Sequence, residues 1–234
     1  MTEAQIRKAL IDRLIASSSG GETAFISELF VDSFSRRADL VMANGKLSVF
    51  EIKSERDNLD RLKGQISSYK NFFEEVTVVC APRHQVNVQA IVSDNIGVWL
   101  VGNNGHLSVL RKAKFTPLPS IENWLSFLPV DELKKLLRNN ELRASGNRTV
   151  LVEAASLLAV KSVRAYVLGF FKRRDKKILE LRSRKVVMHP PTHADRISSN
   201  SNQLQEFIKS LSCSASAIPR RITHQSSPSS SSPT

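Results

Sequence analysis

Three observations predict an α/β domain followed by a small, basic, all-helical unit and a disordered tail. Short apolar runs of strand composition are interspersed with stretches of helical period between residues 3 and 116. An Asn-Gly pair, the strongest short hairpin signal, separates two of those runs. Beyond Pro117 and Pro119 the pattern turns helical, and from about His189 it becomes rich in Ser and Pro.

The elements follow in order. Ile6, Leu10, Leu14 and Ile15 form one stripe of a helix over residues 3–18, ended by SSSGG. Residues 22–34 are ambiguous: FISELF suits the end of a second helix and FVDSF a short strand. ADLVMA and LSVFEI flank Asn44-Gly45 as a hairpin. Leu59, Leu62, Ile66, Tyr69 and Phe73 predict a helix over 58–73, with Asp57 as its N-cap. VTVVCA (76–81) has the composition of a fully buried strand, stopped by Pro82. A short helix near 86–93 precedes IGVWLV, the turn GNNG and HLSVLRKA, a closing hairpin. The expected α/β domain is thus 1–116. Residues 117–188 form the helical basic domain, with helices at 121–128, 130–139, 149–158 and 162–184, the last with a possible break at Gly169. Residues 189–234 are the tail, in which QLQEFIKSL (203–211) has transient helical character.

Composition narrows the function classes. Hydrophobic content is 41%, ordinary for a globular chain. No apolar run reaches the ~18 residues of a membrane span. MTEAQIRKALIDRLI reads as an amphipathic helix rather than a secretory signal. Cys80 and Cys213 supply neither a disulfide framework nor a metal finger. These features predict a cytoplasmic protein with no membrane partner. The net charge of +12 is uneven: residues 1–118 hold 15 Lys/Arg and 13 Asp/Glu, leaving 19 and 9 for residues 119–234. A basic half of this kind suits a polyanion, most simply nucleic acid.

The chemistry concentrates in LSVFEIKSERD (47–57). In a strand, Glu51 and Lys53 share a face because side chains alternate. Glu132-Leu133-Lys134 repeats the Glu-x-Lys spacing on a surface helix, so the triplet alone means little. Its company matters more. Asp39 lies 12 residues earlier across the hairpin, Glu28 lies 11 before that, and Gln65 and Tyr69 share a face of the next helix. In helix–strand–strand–helix order, Glu28, Asp39, Glu51-x-Lys53 and Gln65-x-x-x-Tyr69 resemble the PD-(D/E)XK nuclease superfamily. The likeness is to its Gln-x-x-x-Tyr branch, and to small bacterial and phage members with a run like EIKSERDNLDRL (51–62). It covers residues 25–85. Ala38 stands where a proline is usual.

The resemblance implies a restriction-endonuclease-like core: helix, three-stranded meander, helix, strand. It implies Mg²⁺ or Mn²⁺ held by Asp39, Glu51 and the Ile52 carbonyl, with Glu28 in support. Hydrolysis of a phosphodiester calls for such a hard cation. Lys53 would orient or deprotonate the attacking water or steady developing charge. Gln65 and Tyr69 would position phosphate or the surrounding groups. The four cysteines that hold iron–sulfur in some relatives are missing, so no such cluster is expected. Geometry adds a condition. A strict two-residue Asn-Gly turn pairs Ala43 with Lys46 and sets Asp39 opposite Phe50. Bringing Asp39 opposite Glu51 requires a three-residue loop or a bulge.

Further cations are candidate nucleic-acid contacts: Arg83 and His84 after the VTVVCA strand, and Lys172, Arg173, Arg174, Lys176 and Lys177 in KRRDKKILELRSRK (172–185). That run has 8 Lys/Arg and 2 Asp/Glu and should give a steep salt dependence. Residues 129–158 resemble a SAP-type helix–extended–helix DNA-binding motif, with Arg148 opening its second helix. The expected activity is metal-dependent nuclease action, DNA favoured, in phage defence, mobile-element biology or repair. The alternatives are an RNA-directed nuclease and a nucleic-acid-binding protein that does not cut.

Overall fold

The computed structural model describes residues 1–18 and 22–188, and of Lys177 and residues 179–188 only the helical backbone. The expected tail, including 203–211, lies outside the described residues. The architecture is α/β, with one mixed six-stranded sheet in the order β1-β2-β3-β4-β5-β6. Its strands are β1 (Ala24–Val31), β2 (Arg36–Ala43), β3 (Leu47–Lys53), β4 (Glu75–Cys80), β5 (Gly97–Val101) and β6 (Leu107–Arg111). Helix α1 (Glu3–Ser17) precedes the sheet, α2 (Leu62–Phe72) joins β3 to β4, and α3 (Gln85–Ile91) joins β4 to β5. Four helices follow: α4 (Ile121–Ser126), α5 (Val130–Arg138), α6 (Arg148–Ser156) and α7 (Val160–Met188). β1, β2 and β3 form an antiparallel meander. The crossovers through α2 and α3 make β3–β4 and β4–β5 parallel, and β6 returns antiparallel.

Two apolar layers cover the sheet. On one face Ile6, Leu10 and Leu14 of α1 pack on Leu40, Met42, Phe50, Ile52 and Val79. On the other, Val41, Val49, Val78 and Cys80 meet Leu62, Ile66, Tyr69 and Phe73 around α2. That second cluster continues into the C-terminal helices through Trp124, Leu125, Leu133, Leu151, Val163 and Phe171. The segment beyond residue 116 therefore shares its core with the sheet. Buried Glu74 and Arg164 reinforce the junction: Arg164 Nε lies 2.6 Å from Glu74 Oε1 and its Nη2 donates to the Gly45 carbonyl at 2.6 Å.

Several local expectations change. Residues 24–31 are wholly strand, not the end of a helix. α2 begins at Leu62, and Asp57 does not cap it. Asp57 instead accepts from Ser54 N–H at 2.7 Å and Ser54 Oγ at 2.6 Å, closing a turn after β3. α7 runs unbroken through Gly169, because the packing of Val163, Val167 and Phe171 holds that face in place. The β2–β3 loop does have three residues. Ala43 pairs with Leu47 and Leu40 with Phe50, so one further step along the register brings Asp39 opposite Glu51. Gly45, at φ +100°, takes the left-handed backbone that this turn requires.

Candidate functional site

The meander creates an opening in the sheet. Glu28 has φ +58° inside β1, a conformation costing about 1–3 kcal/mol for a non-glycine residue. The burial pattern shows its consequence. Ala24 packs in the α2-side layer, and so do Leu29 and Val31, so side-chain alternation slips by one at Glu28. β2 slips at the facing position: Val41 and Ala43 join the α2 side, Leu40 the α1 side, yet Ala38 returns to the α2 side. Asp39 therefore belongs to neither layer. It points along the sheet toward β3, where Oδ2 accepts from the Ile52 N–H at 2.7 Å.

This contact replaces a rung of the ladder. Leu47 and Lys53 offer their carbonyls to Glu74 and Ala81 on the β4 side. Even-numbered residues of β3 accordingly face β2, and Ile52 would next pair with Ala38. Pairing instead ends at Leu40 with Phe50. The Ile52 N–H takes the Asp39 carboxylate, and its carbonyl faces the same gap.

Glu51 and Lys53 lie on the α2 side of that gap. Lys53 Nζ donates to Glu51 Oε1 at 2.8 Å and to Gln65 Oε1 at 3.1 Å. Gln65 Nε2 also donates to Glu51 Oε1. The Tyr69 hydroxyl is 2.8 Å from Glu51 Oε2 and 3.0 Å from the Arg37 carbonyl. Glu51 is 1% exposed, Lys53 7% and Tyr69 0%. So buried an ion pair is stable only when its remaining polar atoms find partners, and α2 supplies them at i and i+4. Tyr69 is at once a core ring, edge-on to Phe73, and a Glu51 partner. Burial and the Glu51 carboxylate push its hydroxyl pKa upward, which keeps it a proton donor.

On the α1 side, carboxylate oxygens of Glu3, Glu28 and Asp39 lie within 4.8 Å of one another. Sequence reading missed Glu3. The capping box between Thr2 and Gln5 places it in the first turn of α1, but nothing local says where that helix end docks. Arg7 bridges Glu3 and Glu28. Arg37 Nε lies 2.6 Å from Glu28 Oε2 as an ion pair, without the alignment of a hydrogen bond. Asp39 stands between the two groups. Burial, then the neighbouring Glu51 charge, pushes its pKa up to about 8, with Glu3 adding to the effect. The Ile52 N–H and Lys53 pull the other way.

The outlying cations fare differently. His84 is buried, its Nε2 3.1 Å from the Ser54 carbonyl, where it ties the loops after β3 and β4 together. It is not a phosphate-facing group. Arg148 is committed as well: its guanidinium donates to the carbonyls of Leu128, Leu125 and Ser126 at the end of α4. Arg83 and Lys176 are exposed and Lys172 half-buried. Arg173 is bonded to Glu132 at 3.0 Å and lies over the Tyr166 ring. Burial lowers the pKa of Arg174. The neighbouring Asp175 accepts from the Phe25 N–H at 3.1 Å, docking α7 on the outer edge of β1. Of Lys177 only the backbone is described.

Fold and site together define an α/β protein with a carboxylate-rich break in a mixed sheet and a helical basic flank. The chain belongs to the Bacteriophage P4 protein cII family, whose model matches residues 1–201. It is 35% identical over 179 residues to Protein cII of Enterobacteria phage P4, an overlap of 74% of this chain and 68% of that protein. Among solved structures it is similar to AF1548, a protein of unknown function, at 16% identity and a TM-score of 0.29, covering 74% of this chain and 98% of that one. A likeness that weak bears on neither fold nor function.

Proposed function

We propose that this protein is a metal-dependent nuclease acting on DNA, with a PD-(D/E)XK-type core at the break in the sheet. The single observation that carries the reading is the convergence of Asp39, Glu51 and Lys53 on the gap between β2 and β3, with Gln65 and Tyr69 bonded to the same carboxylate. The donor set fits a hard divalent cation. Asp39, Glu51, Glu28, Glu3 and the Ile52 carbonyl offer only oxygen, which suits Mg²⁺ or Mn²⁺. The raised pKa of Asp39 fits too, since acids crowded in a dry site favour either a proton or a cation.

Asp39 and Glu51 would hold the ion, with the Ile52 carbonyl beside them and Glu28 and Glu3 outside. Bound there, the ion would polarise the phosphate and lower the pKa of a water. Lys53 has two of its three ammonium protons committed, to Glu51 and Gln65. The third is available to orient a water or steady charge on the phosphate. Gln65 and Tyr69 fix the Glu51 carboxylate, so that little rearrangement accompanies the reaction.

The test is a panel of linear, circular, single-stranded and branched DNA, plus RNA, with Mg²⁺ or Mn²⁺. Cleavage should appear on DNA and fall by a factor on the order of 10² or more in Glu51→Gln and in Lys53→Ala. Wild-type protein that binds these substrates and leaves them all intact would favour the non-cleaving alternative. Cleavage confined to RNA would redirect the substrate, and cleavage retained in Glu51→Gln would remove this site from the reaction.

A further inference from the structure

The β1–β2 loop presents an aromatic ring where burial would be expected. Phe34 is 47% exposed. Asp32, Ser33 and Phe34 have φ of 54°, 51° and 68°, three successive residues in the left-handed region that non-glycine residues avoid. The loop is nonetheless pinned. Asp32 Oδ2 accepts from Ser35 Oγ at 2.9 Å and from Ser68 Oγ of α2 at 2.8 Å. Ser68 adjoins Tyr69, so one turn of α2 anchors both this loop and Glu51.

The ring sits at the catalytic end of the meander. Phe34 packs against Phe30 with centroids 5.8 Å apart, tilted by 49°. Phe30 is the ladder partner of Arg37, whose side chain pairs with Glu28. Glu28 in turn lies within 4.8 Å of Asp39. An exposed ring, a half-exposed guanidinium and the carboxylate cluster therefore form one continuous row. A hydrophobic protein partner would have to bury the Arg37–Glu28 ion pair and the crowded acids beside it, at a desolvation cost. A polynucleotide strand meets each with something it carries: a base for the ring, a phosphate for the guanidinium, and the cation-bound scissile phosphate for the acids.

We infer that Phe34, backed by Phe30, is a stacking platform for an unpaired base next to the scissile phosphate, so that the preferred substrate has a single-stranded segment at the site. The inference rests on the nuclease reading for its register, and its binding component can be measured without cleavage. Base–aromatic stacking is insensitive to sequence because every base has a π-face. In duplex DNA those faces are already occupied, so the platform discriminates by strandedness and not by base.

The experiment measures equilibrium binding of fluorescent oligonucleotides to the full chain carrying Glu51→Gln, with Phe34→Ala and Phe34→Trp added. The probes are a single strand, a blunt duplex and a single strand with abasic sites through its centre. Phe34→Ala should weaken single-strand binding by about 5- to 150-fold, the range that loss of one stacked base gives. It should leave the duplex and abasic strands nearly unchanged, and Phe34→Trp should restore the single-strand affinity. Equal losses on all three probes, or no loss on the single strand, overturns the platform. An unchanged melting temperature for Phe34→Ala, expected of an exposed ring, excludes misfolding as the cause. The two readings fail separately: cleavage by wild type with no Phe34 effect removes the platform alone, and a selective Phe34 effect without cleavage removes the nuclease alone.

Discussion

Asp39 has the most unusual environment of any single residue in the site. A carboxyl with an ordinary value of 3.8 is pushed up to about 8 by burial and by Glu51. In metal-free protein the folded state then keeps a proton that the unfolded state has lost over that whole interval. The folded state binds more protons, so stability falls as pH rises from about 4 to about 8 and levels off beyond. Thermal unfolding in the presence of a chelator measures this directly. Asp39→Asn should flatten the slope, and an unchanged slope would place the titration elsewhere. Glu28 matters differently. Its strained backbone shifts the alternation of β1, β2 shifts at the facing residue, and only then does Asp39 lie in the plane of the sheet. No local signal predicts this, since glutamate has no preference for the left-handed region.

Among the elements, the hairpin around Asn44-Gly45 was the most legible. The Asn-Gly pair marked the turn but left its length open: a strict two-residue turn sets Asp39 opposite Phe50, and only the site implied by the nuclease resemblance called for a three-residue loop or a bulge, because a one-residue slip moves every side chain to the other face. Strand β1 was not legible. Its alternation breaks at Glu28, which erased the period that would have distinguished strand from helix. Arg148 illustrates a motif residue with a different use. Its place in the SAP-like resemblance suited a phosphate contact, whereas its guanidinium closes the carbonyl end of α4. Arg148→Ala should lower stability by about 1–3 kcal/mol, the worth of charge-assisted hydrogen bonds to a helix end. It should leave nucleic-acid affinity within a factor of two or so, and denaturant titration alongside binding separates the two roles.

For the whole molecule, the decisive feature is that the basic helical segment does not stand apart. Trp124, Leu125, Val163 and Phe171 share a core with the sheet, and Arg164 reaches Glu74 and the β2–β3 loop. Glu74 is 1% exposed, so Arg164→Ala leaves a buried carboxylate without its countercharge. That should cost about 3 kcal/mol or more and loosen the hairpin that carries Asp39 and Glu51. The melting temperature should drop accordingly, while Glu74→Gln combined with Arg164→Ala should recover part of the loss. No recovery would mean that the lost contacts are those of the arginine stem. Partnered cations such as Arg173 and Arg148 also make the free basic surface smaller than the net charge of +12 suggests.

The α/β order of elements, the apolar stripes and the Asn-Gly turn were legible in the residues alone, because periodicity and turn chemistry are local quantities. Asp39, Glu51, Lys53, Gln65 and Tyr69 were singled out as a group through the resemblance that their order and spacing carry. That Glu3 joins the acids, that His84 and Arg148 turn inward, and that Asp39 faces the gap between β2 and β3 emerges from long-range packing. Those outcomes depend on which helix end or loop arrives from a distant part of the chain, and on a backbone conformation at Glu28 that the surrounding packing imposes.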